Sequence, residues 1–472
     1  MKMQKYLAPV QWACYDNDCY IPEKWALESL AILNENMLVA NKVHRDFETD
    51  LADYGDQVHT RRPAESKIKM RSDDTVASGL IQSTSSTDVP VILNRWANQS
   101  FTIKPGEMSK AFADLVNVYL RPRVVSIART VDRSVLGRMA ASFGTTNATR
   151  AGHLSGLTAA NAYESVVELD QILNTNKAPD DGRSLLLSAS AKAQMLLCDK
   201  FVKSMERGDG SSPITTAKLG TILNFETFLS QNVNSVLVGG DITATFTTGA
   251  AYAAEKADAL AVTGIEATVV GEYCVVVGND QPTYVTAKDT NVVTLSEPLK
   301  YGTGSGAKVT RYKSCSVSTT AVSGWGEGIV LKSYTTGKAP QVGQLLAFCD
   351  ASTGANRHTY TVIESTDSGS TCEVVLDRPL ERTITQDSTV ACPGPYGSIN
   401  PAFHRNALAL VVRPLASVAG AGMACAVVSD PLTGLSVRVA IQDVINVGRT
   451  VAIDMLYGVA VLDSALCVPL LG

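Results

Sequence analysis

The sequence predicts an α+β protein in which a β-rich block interrupts a mixed α/β region. Three observations lead to this fold class. Helical apolar patterns dominate the first 206 residues, the segment from about 236 to 395 is rich in Val, Thr, Ser and Gly with short strand-like runs, and long apolar runs resume after residue 401. An insertion of this kind needs only that its two ends lie close together.

Composition narrows the function class. The chain has 472 residues, of which 45% are apolar and only 18% are charged, below the usual quarter. A surface short of charge is typical of a protein that packs against other protein. The net charge of −5, without a basic tail, argues against a dedicated nucleic-acid-binding protein. No run of 18 apolar residues occurs, so we expect no membrane partner.

Helices are predicted where apolar residues recur at three- and four-residue spacing, over 23–40, 107–141, 158–174 and 189–206. Pro122 falls inside the second of these patterns and predicts a kink or break near Leu120. A short buried strand is predicted at 183–188. One short helical piece is predicted at 402–408, among the strands that follow residue 401.

Residues 53–105 form the most unusual segment. Two extended, weakly alternating runs flank a Ser/Thr-rich stretch, a pattern that predicts a long two-stranded hairpin. An isolated hairpin is marginally stable in water. We therefore expect this segment to lie on something, and a neighbouring copy of the chain is the simplest support.

Charge clusters next to and within this segment suggest how copies could align. The candidate inter-subunit contacts are the basic residues Arg61, Arg62, Lys67, Lys69 and Arg71, the acidic residues Asp46, Glu48 and Asp50, and the apolar residues Val91, Leu93, Trp96 and Phe101. Opposite charges would set register, and the apolar side chains would supply affinity. The alternatives are two solvated loops for the charges, and packing within the same chain for the apolar residues.

Two arginines of the predicted helix 107–141, Arg129 and Arg133, share a helix face. They are weak candidates for an interior surface that faces DNA. Solvated arginines or local ion pairs are the alternative interpretation.

The β-rich block contains a short internal repeat. The pattern V-x-L-x-x-P-L occurs at Val293–Leu299 and again at Val374–Leu380, 81 residues later. It predicts two related β units, each a small barrel, unless the match is a coincidence.

Signals for catalysis or metal binding are weak throughout. Gly152–Gly156 has the wrong order for a nucleophile elbow, and a strand pattern follows the glycine-rich run 302–307 where a dinucleotide site needs a helix. The ten cysteines form no C-x-x-C pair and the five histidines are scattered. We therefore expect no catalytic residues, no cofactor and no metal site, and we predict that the chain is not an enzyme.

Several short stretches occur in an order that is more informative than any one of them. They are Tyr54–Val58, the helical Ile127–Met139, the Pro179-x-x-Gly182-Arg183 turn with its Leu185–Leu187 strand, Gly220–Ile222 with Phe225, Ala402–Ala407, and Asp454–Val459. Together they resemble the major capsid proteins of tailed bacteriophages with the HK97-like fold, in particular short-tailed-phage coat proteins with an inserted β domain. Asn224 departs from the pattern, since it stands where glycine is usual in that family.

The resemblance implies a domain plan and a function. It implies an N-terminal arm and helix (1–52), an extended loop (53–105), a spine helix with peripheral domain (106–157), the first part of an axial domain (158–235), an inserted β-rich domain of two related units (236–395) and returning axial and peripheral strands (396–472). Such proteins self-assemble into pentamers and hexamers of an icosahedral shell around double-stranded DNA.

The resemblance also implies partners and a location. The partners are other copies of the chain, a scaffolding protein, a portal and packaged DNA held by non-specific contact, with a decoration or cement protein as an optional addition. The protein would assemble in the host cytoplasm and reside in the virion. The alternatives are a β-rich virion fibre or receptor-binding protein, and an enzyme with an appended β domain.

Overall fold

The computed structural model describes about two thirds of the chain. The described residues are 22–45, 57–63, 86–104, 116–142, 151–152, 157–203, 216–233, 235–236, 242–252, 259–263, 273–276, 283–289, 291–295, 299, 302–312, 315–324, 328–334, 339–348, 358–391, 397–416, 423–429, 435–444 and 448–471.

Helices and strands alternate in the first half of this part, and strands fill the second half. The α-helices are α1 (Pro22–Asn36), α2 (Arg121–Ser142), α3 (Ala162–Thr175), α4 (Ala189–Leu197) and α5 (Asp199–Val202). The strands are β1 (Gln57–Pro63), β2 (Ser86–Ile92), β3 (Arg95–Ile103), β4 (Ala151–Gly152), β5 (Arg183–Leu187), β6 (Thr221–Ile222), β7 (Phe225–Leu229), β8 (Ser235–Val236), β9 (Ile242–Thr248), β10 (Ala259–Thr263), β11 (Tyr273–Val276), β12 (Thr283–Asp289), β13 (Val292–Leu295), β14 (Lys308–Tyr312), β15 (Cys315–Val317), β16 (Ile329–Lys332), β17 (Leu345–Phe348), β18 (His358–Asp367), β19 (Thr371–Leu376), β20 (Thr389–Ala391), β21 (Gly397–His404), β22 (Leu408–Arg413), β23 (Met423–Ser429), β24 (Ser436–Val444), β25 (Gly448–Val461) and β26 (Cys467–Leu471).

The chain divides into two compact units, each built from separate stretches of sequence. The first comprises Met1–Met37, Trp96–Val131 and Val412–Tyr457, and the second comprises Leu38–Arg95, Asp132–Val411 and Gly458–Gly472. These boundaries fall inside four of the six segments that the sequence predicts, whereas residues 158–235 and 236–395 both lie within the second unit.

In the first unit, α1 packs its apolar stripe on β23 and β24. Trp25, Ala26 and Leu33 on this stripe are fully buried. The predicted helix ran to residue 40, but α1 ends at Asn36. Residues 37–40 continue the buried pattern without the helical backbone, so apolar spacing alone placed the end too late.

The predicted break near Leu120 coincides with a change of helix type. A π-helical turn covers Val116–Leu120, and α2 begins at Arg121. Pro122 has no N–H to donate to the preceding turn, and the helix changes type next to it.

The second unit contains a seven-stranded mixed sheet. Its order is β4-β26-β21-β5-β7-β6, with β8 also paired to β21, and β5 and β7 run parallel. Apolar residues of α3, α4 and α5 cover it, among them Leu169, Met195 and Phe201. The predicted helix 189–206 is two short helices, since the backbone at Cys198 is extended. The helical piece predicted at 402–408 is reduced to a 3-10 turn, Arg405–Ala407, after β21.

The Pro179-x-x-Gly182-Arg183 motif acquires a physical reason in this unit. Gly182 has a φ of +67°, a conformation that favours glycine. The buried guanidinium of Arg183 donates to Asp170 Oδ1, Asn174 Oδ1 and the carbonyls of Pro179 and Ala178, each at 2.8 Å. One side chain thereby ties α3, the turn and β5 together.

Two closed six-stranded barrels occupy the region where the sequence predicts related β units. Barrel 1 (β9–β14) has the order β9-β10-β13-β12-β11-β14, and barrel 2 (β15–β20) has the order β15-β16-β19-β18-β17-β20. In both, the strands follow the same order: first, second, fifth, fourth, third, sixth. Because each barrel is closed, it leaves no strand edge exposed.

Equivalent details recur inside the barrels. The pairing of β12 with β13 shifts register next to Leu295, and the pairing of β18 with β19 shifts register next to Leu376, 81 residues later. Val293 and Val374 are both fully buried in their barrel cores. The sequence repeat therefore marks equivalent positions in two barrels of one topology.

The described cysteines carry no disulfide. Six of them are free, and Cys198, Cys274, Cys315, Cys372 and Cys467 are buried. No described helix is both long enough and apolar enough to cross a bilayer.

Candidate functional site

The extended loop begins as a two-stranded ribbon. Strands β1 and β2 pair antiparallel from Gln57 opposite Ile92 to Pro63 opposite Ser86. Neither strand pairs with any other strand of the described residues. A two-stranded ribbon of this kind gains little stability from its own backbone pairing. The residues at its base, 91–103, therefore decide how firmly it is held.

At the base of the ribbon, Val91 and Leu93 pack against strands β22 and β25 of the same chain. Val91 is fully buried in a small cluster with Ala409, Val411 and Ala460, and Leu93 is partly buried beside it. The contact predicted between Val91 and another copy is replaced by packing within the chain, because its side chain has no exposed surface.

A glycine allows the ribbon to approach the sheet closely. A Cβ atom at Gly458 would overlap the carbonyl oxygen of Ile92 and crowd the backbone of Leu93. These obstacles are backbone atoms, which cannot move aside as a flexible side chain can. Gly458 lies within the Asp454–Val459 stretch of the predicted family pattern.

The returning strand β3 presents Trp96 to solvent in a fixed position. Trp96 is 51% exposed, and its indole N–H donates to Asp454 Oδ1 at 3.2 Å. Asn98 donates to the same oxygen. Arg438, directly opposite Asp454 on the neighbouring strand, donates to Oδ2 at 2.7 Å. A buried carboxylate thus orients an exposed aromatic ring.

Phe101 lies five residues beyond Trp96 on β3, and residues of the same unit cover its side chain. It is 6% exposed, its ring centroid lies 6.2 Å from that of Trp25, and the guanidinium of Arg123 lies 4.2 Å from its centroid. Intrachain packing therefore takes the place of the contact with another copy that the sequence predicted for Phe101.

An ion cluster surrounds Arg95, at the start of β3. Its guanidinium lies 3.4 Å from Asp377 Oδ2, and the two side chains are 2% and 0% exposed. Ser134 of α2 donates to the same oxygen at 3.3 Å, and the backbone N–H of Thr361 donates to Oδ1 at 3.0 Å. The loop base, α2 and barrel 2 meet at this one carboxylate.

Arg378 extends this cluster. It donates to Glu381 Oε1 at 3.1 Å and to the carbonyl of Thr359 at 2.9 Å, and lies over the Tyr360 ring. Burial alone would lower the pKa of Arg378, but the carboxylates of Asp377 and Glu381 outweigh it and raise that pKa.

Arg138 of α2 lies 3.8 Å from Glu381 Oε1. Its pKa is lowered, first by burial and then by the positive charge of Arg378. The cluster therefore holds three guanidinium groups against two carboxylates. Arg95, Asp377 and Arg378 are buried, whereas Arg138 and Glu381 are partly exposed.

The sequence prediction missed this cluster. The one available signal lay inside the repeat. The two adjacent variable positions of V-x-L-x-x-P-L are Asp377 and Arg378 in the second copy, but Ser296 and Glu297 in the first.

A further buried carboxylate, that of Asp132 in α2, accepts hydrogen bonds from the backbone of the segment 38–45. The backbone N–H groups of Leu38 and Ala40 donate to its two oxygens at 3.1 and 3.2 Å. Further along this segment, His44 pairs with the strand β22 at Ala409, and Lys42 forms an ion pair of 3.1 Å with Glu226. Burial raises the pKa of Asp132 from 3.8 to about 6, although the backbone donors act against it.

The remaining candidate residues, for contact between copies or for a surface that faces DNA, divide into three groups. Asp46, Glu48, Asp50, Lys67, Lys69 and Arg71 lie outside the described residues. Arg61 and Arg62 lie on β1, opposite Asp88 and Thr87 of β2. Arg129 is exposed on α2, and Arg133 is half-buried near Gly343 of barrel 2.

No group of three or more potential metal ligands occurs in the part of the chain that the structure describes.

Solved structures that match the chain come from phages. A structure from Mycobacterium phage Che8 matches with a TM-score of 0.42 and 10% identity, covering 92% of this chain and 90% of that one. The capsid structure of the cyanophage P-SCSP1u matches with a TM-score of 0.42, 8% identity and coverage of 89% and 84%.

The mature capsid of bacteriophage PhiM1 also matches, with a TM-score of 0.41, 9% identity and coverage of 89% and 83%. No protein-family model and no curated protein matches the chain.

Replacing Gly458 with alanine should destabilise the base of the loop. The added Cβ must displace the backbone of Ile92 and Leu93, which should lower the free energy of unfolding by about 1–3 kcal/mol. Gly304→Ala is the matched control, because nothing lies within 4 Å of a Cβ there. Urea unfolding of both variants checks this, and equal stability of the two would contradict the close approach.

Asp132 should make stability depend on pH in a defined direction. Its native pKa of about 6 exceeds the ordinary 3.8, so the folded state binds the proton more tightly than the unfolded state. Its contribution is therefore more favourable at pH 5 than at pH 7 by roughly 1.3 kcal/mol, and the full difference of roughly 3 kcal/mol is reached only below pH 3.8.

The measurement is the difference in unfolding free energy between the parent chain and Asp132→Asn, taken at several pH values. Groups common to both proteins cancel in this difference. It should shift in favour of the parent as pH falls from 7 to 4.5, and a difference independent of pH would show that Asp132 has an ordinary pKa.

Proposed function

We propose that the chain is a major capsid protein with an HK97-like fold, which self-assembles into pentamers and hexamers of an icosahedral shell around double-stranded DNA. The observation that carries the proposal is the β1–β2 ribbon, whose strands pair only with each other among the described residues while its base is fixed. A ribbon that is held at its base, and whose strands pair with no other described strand, suits contact with a neighbouring copy.

The domain plan of the proposal follows the sequence resemblance. The ribbon corresponds to the extended loop, α2 to the spine helix, the seven-stranded sheet with α3 to α5 to the axial domain, and the two barrels to the inserted domain. Closed barrels leave no edges for lateral β-pairing, which favours a shell subunit over the alternative of a β-rich fibre.

Among the predicted contact residues, Trp96 has the properties of an interface anchor. It is half-exposed, and its rotamer is fixed by the hydrogen bond to Asp454. Tryptophan and arginine dominate the energetics of protein interfaces, so the neighbouring Arg438 adds to this character. The basic residues of the loop would set register through opposite charges on the next copy.

The proposed partners are other copies of the chain, a scaffolding protein and a portal, with packaged DNA held by non-specific contacts. The net charge of −5 suits weak rather than tight binding of DNA by the subunit. In this role the chain acts as a structural protein of the virion, assembled in the host cytoplasm, and catalyses no reaction.

Shortening the loop tests the proposal without disturbing its base. Pro63 and Ser86 face each other across the ribbon, so residues 64–85 can be replaced by an Asn-Gly turn. All the anchoring contacts of residues 91–103 are kept. We expect a folded chain with the parent's thermal stability that forms no closed shells, while the parent forms shells visible by negative-stain electron microscopy.

A second variant carries a Gly-Ser linker of equal length in place of residues 64–85. It keeps the reach of the loop but removes Lys67, Lys69 and Arg71. If the Gly-Ser variant forms shells and the Asn-Gly variant does not, assembly depends on the length of the loop rather than on these side chains. Shells of parental size and yield from the Asn-Gly variant would contradict the proposal.

A further inference from the structure

The ion cluster at the loop base connects three elements that are far apart in sequence. Arg95 begins β3, Ser134 and Arg138 belong to α2, and Asp377, Arg378 and Glu381 follow β19 of barrel 2. Arg95 and Asp377 are separated by 282 residues, yet their charged groups are almost fully buried. Removing one partner of a buried ion pair leaves an uncompensated charge away from water, so the elements that carry the charges cannot separate cheaply.

We propose that barrel 2 is a clamp on the base of the extended loop, in which Asp377 and Arg378 hold Arg95 and α2 in one coupled conformational state. Asp377 accepts hydrogen bonds from both Ser134 and Arg95, and Arg378 and Arg138 share Glu381. Displacement of barrel 2 would therefore leave Arg95 without Asp377 and Arg138 without Glu381, so that the loop base would keep only its packing at Val91 and Ile92.

The comparison of the two barrels shows that this clamp belongs to barrel 2. Both barrels have the same strand order, and the repeat places Asp377 and Arg378 at the positions of Ser296 and Glu297. Ser296 and Glu297 do not provide a carboxylate followed by a guanidinium. One module of the duplicated fold thus carries the charged pair that binds the rest of the subunit, and the other does not.

The experiment replaces the charged pair of barrel 2 and leaves barrel 1 unchanged. The double variant Asp377→Ser, Arg378→Glu gives barrel 2 the residues of barrel 1, and backbone amide hydrogen exchange is measured on the full-length, unassembled chain. We expect at least tenfold faster exchange at three places: residues 377–381, residues 134–140 of α2 and the loop base around Arg95. Barrel 1, residues 242–312, serves as the internal reference and should keep its exchange rates.

Lys332→Gln is the matched control. It removes an exposed ion pair of the same barrel, between Lys332 and Asp387 at 2.6 Å, and should leave all three places unchanged. Arg138→Met is a gentler test variant, because its side chain is 29% exposed. It should produce the same pattern of faster exchange with a smaller amplitude.

Faster exchange confined to the substituted element, with the other two unchanged, would overturn the clamp. Should the double variant unfold as a whole, barrel 1 would also lose protection, and Arg138→Met then decides between coupling and local loosening. The readout needs no shell, so the clamp and the proposed function can fail independently.

Discussion

A long two-stranded ribbon has almost no core, so its direction depends on how rigidly its base is held. In this chain the base is fixed by three kinds of contact. Val91 is buried against Ala409 and Ala460, the backbone at Ile92 lies against Gly458, and the charge of Arg95 is neutralised by Asp377 inside the protein. Breaking the Val91 contact would expose apolar surface, and breaking the Arg95 contact would leave a charge unpaired. The contact at Ile92 is possible only because Gly458 has no side chain. The outer arms have no comparable support among the described residues.

Buried carboxylates recur as the organising groups. Asp132 accepts hydrogen bonds from the backbone of Leu38 and Ala40, and Asp377 accepts them from Ser134 and Arg95. Asp454 accepts one directly from Trp96, and Arg438 and Asn98 donate to the same carboxylate. A carboxylate can accept several hydrogen bonds at once, so one such group can hold several elements where apolar packing would only bring them near. In a chain with few charged residues, the charges that are buried therefore carry much of the long-range connection within each unit.

The sequence predicted features whose cause is local. Pro122 marked the start of α2, the repeat at Val293 and Val374 marked two barrels of one topology, and the Gly182-Arg183 pair marked a turn that needs positive φ and a buried guanidinium. It did not predict features that depend on tertiary contacts. Nothing near Arg95 indicates a partner 282 residues away, and burial continued past the end of α1 at Asn36 because bends as well as helices can be buried. The burial of Val91 and Phe101 within the chain was an open alternative that only their neighbours in the fold could decide.

The central claim is that the base of the loop is stable within one chain while its arms gain their stability from other copies. Backbone amide exchange of β1 and β2, compared between the isolated chain and the assembled form, tests this most directly. Residues 57–63 and 86–90 should show little protection in the isolated chain and strong protection in the assembled form, whereas residues 99–103 should be equally protected in both. Full protection of β1 and β2 in the isolated chain would contradict the central claim.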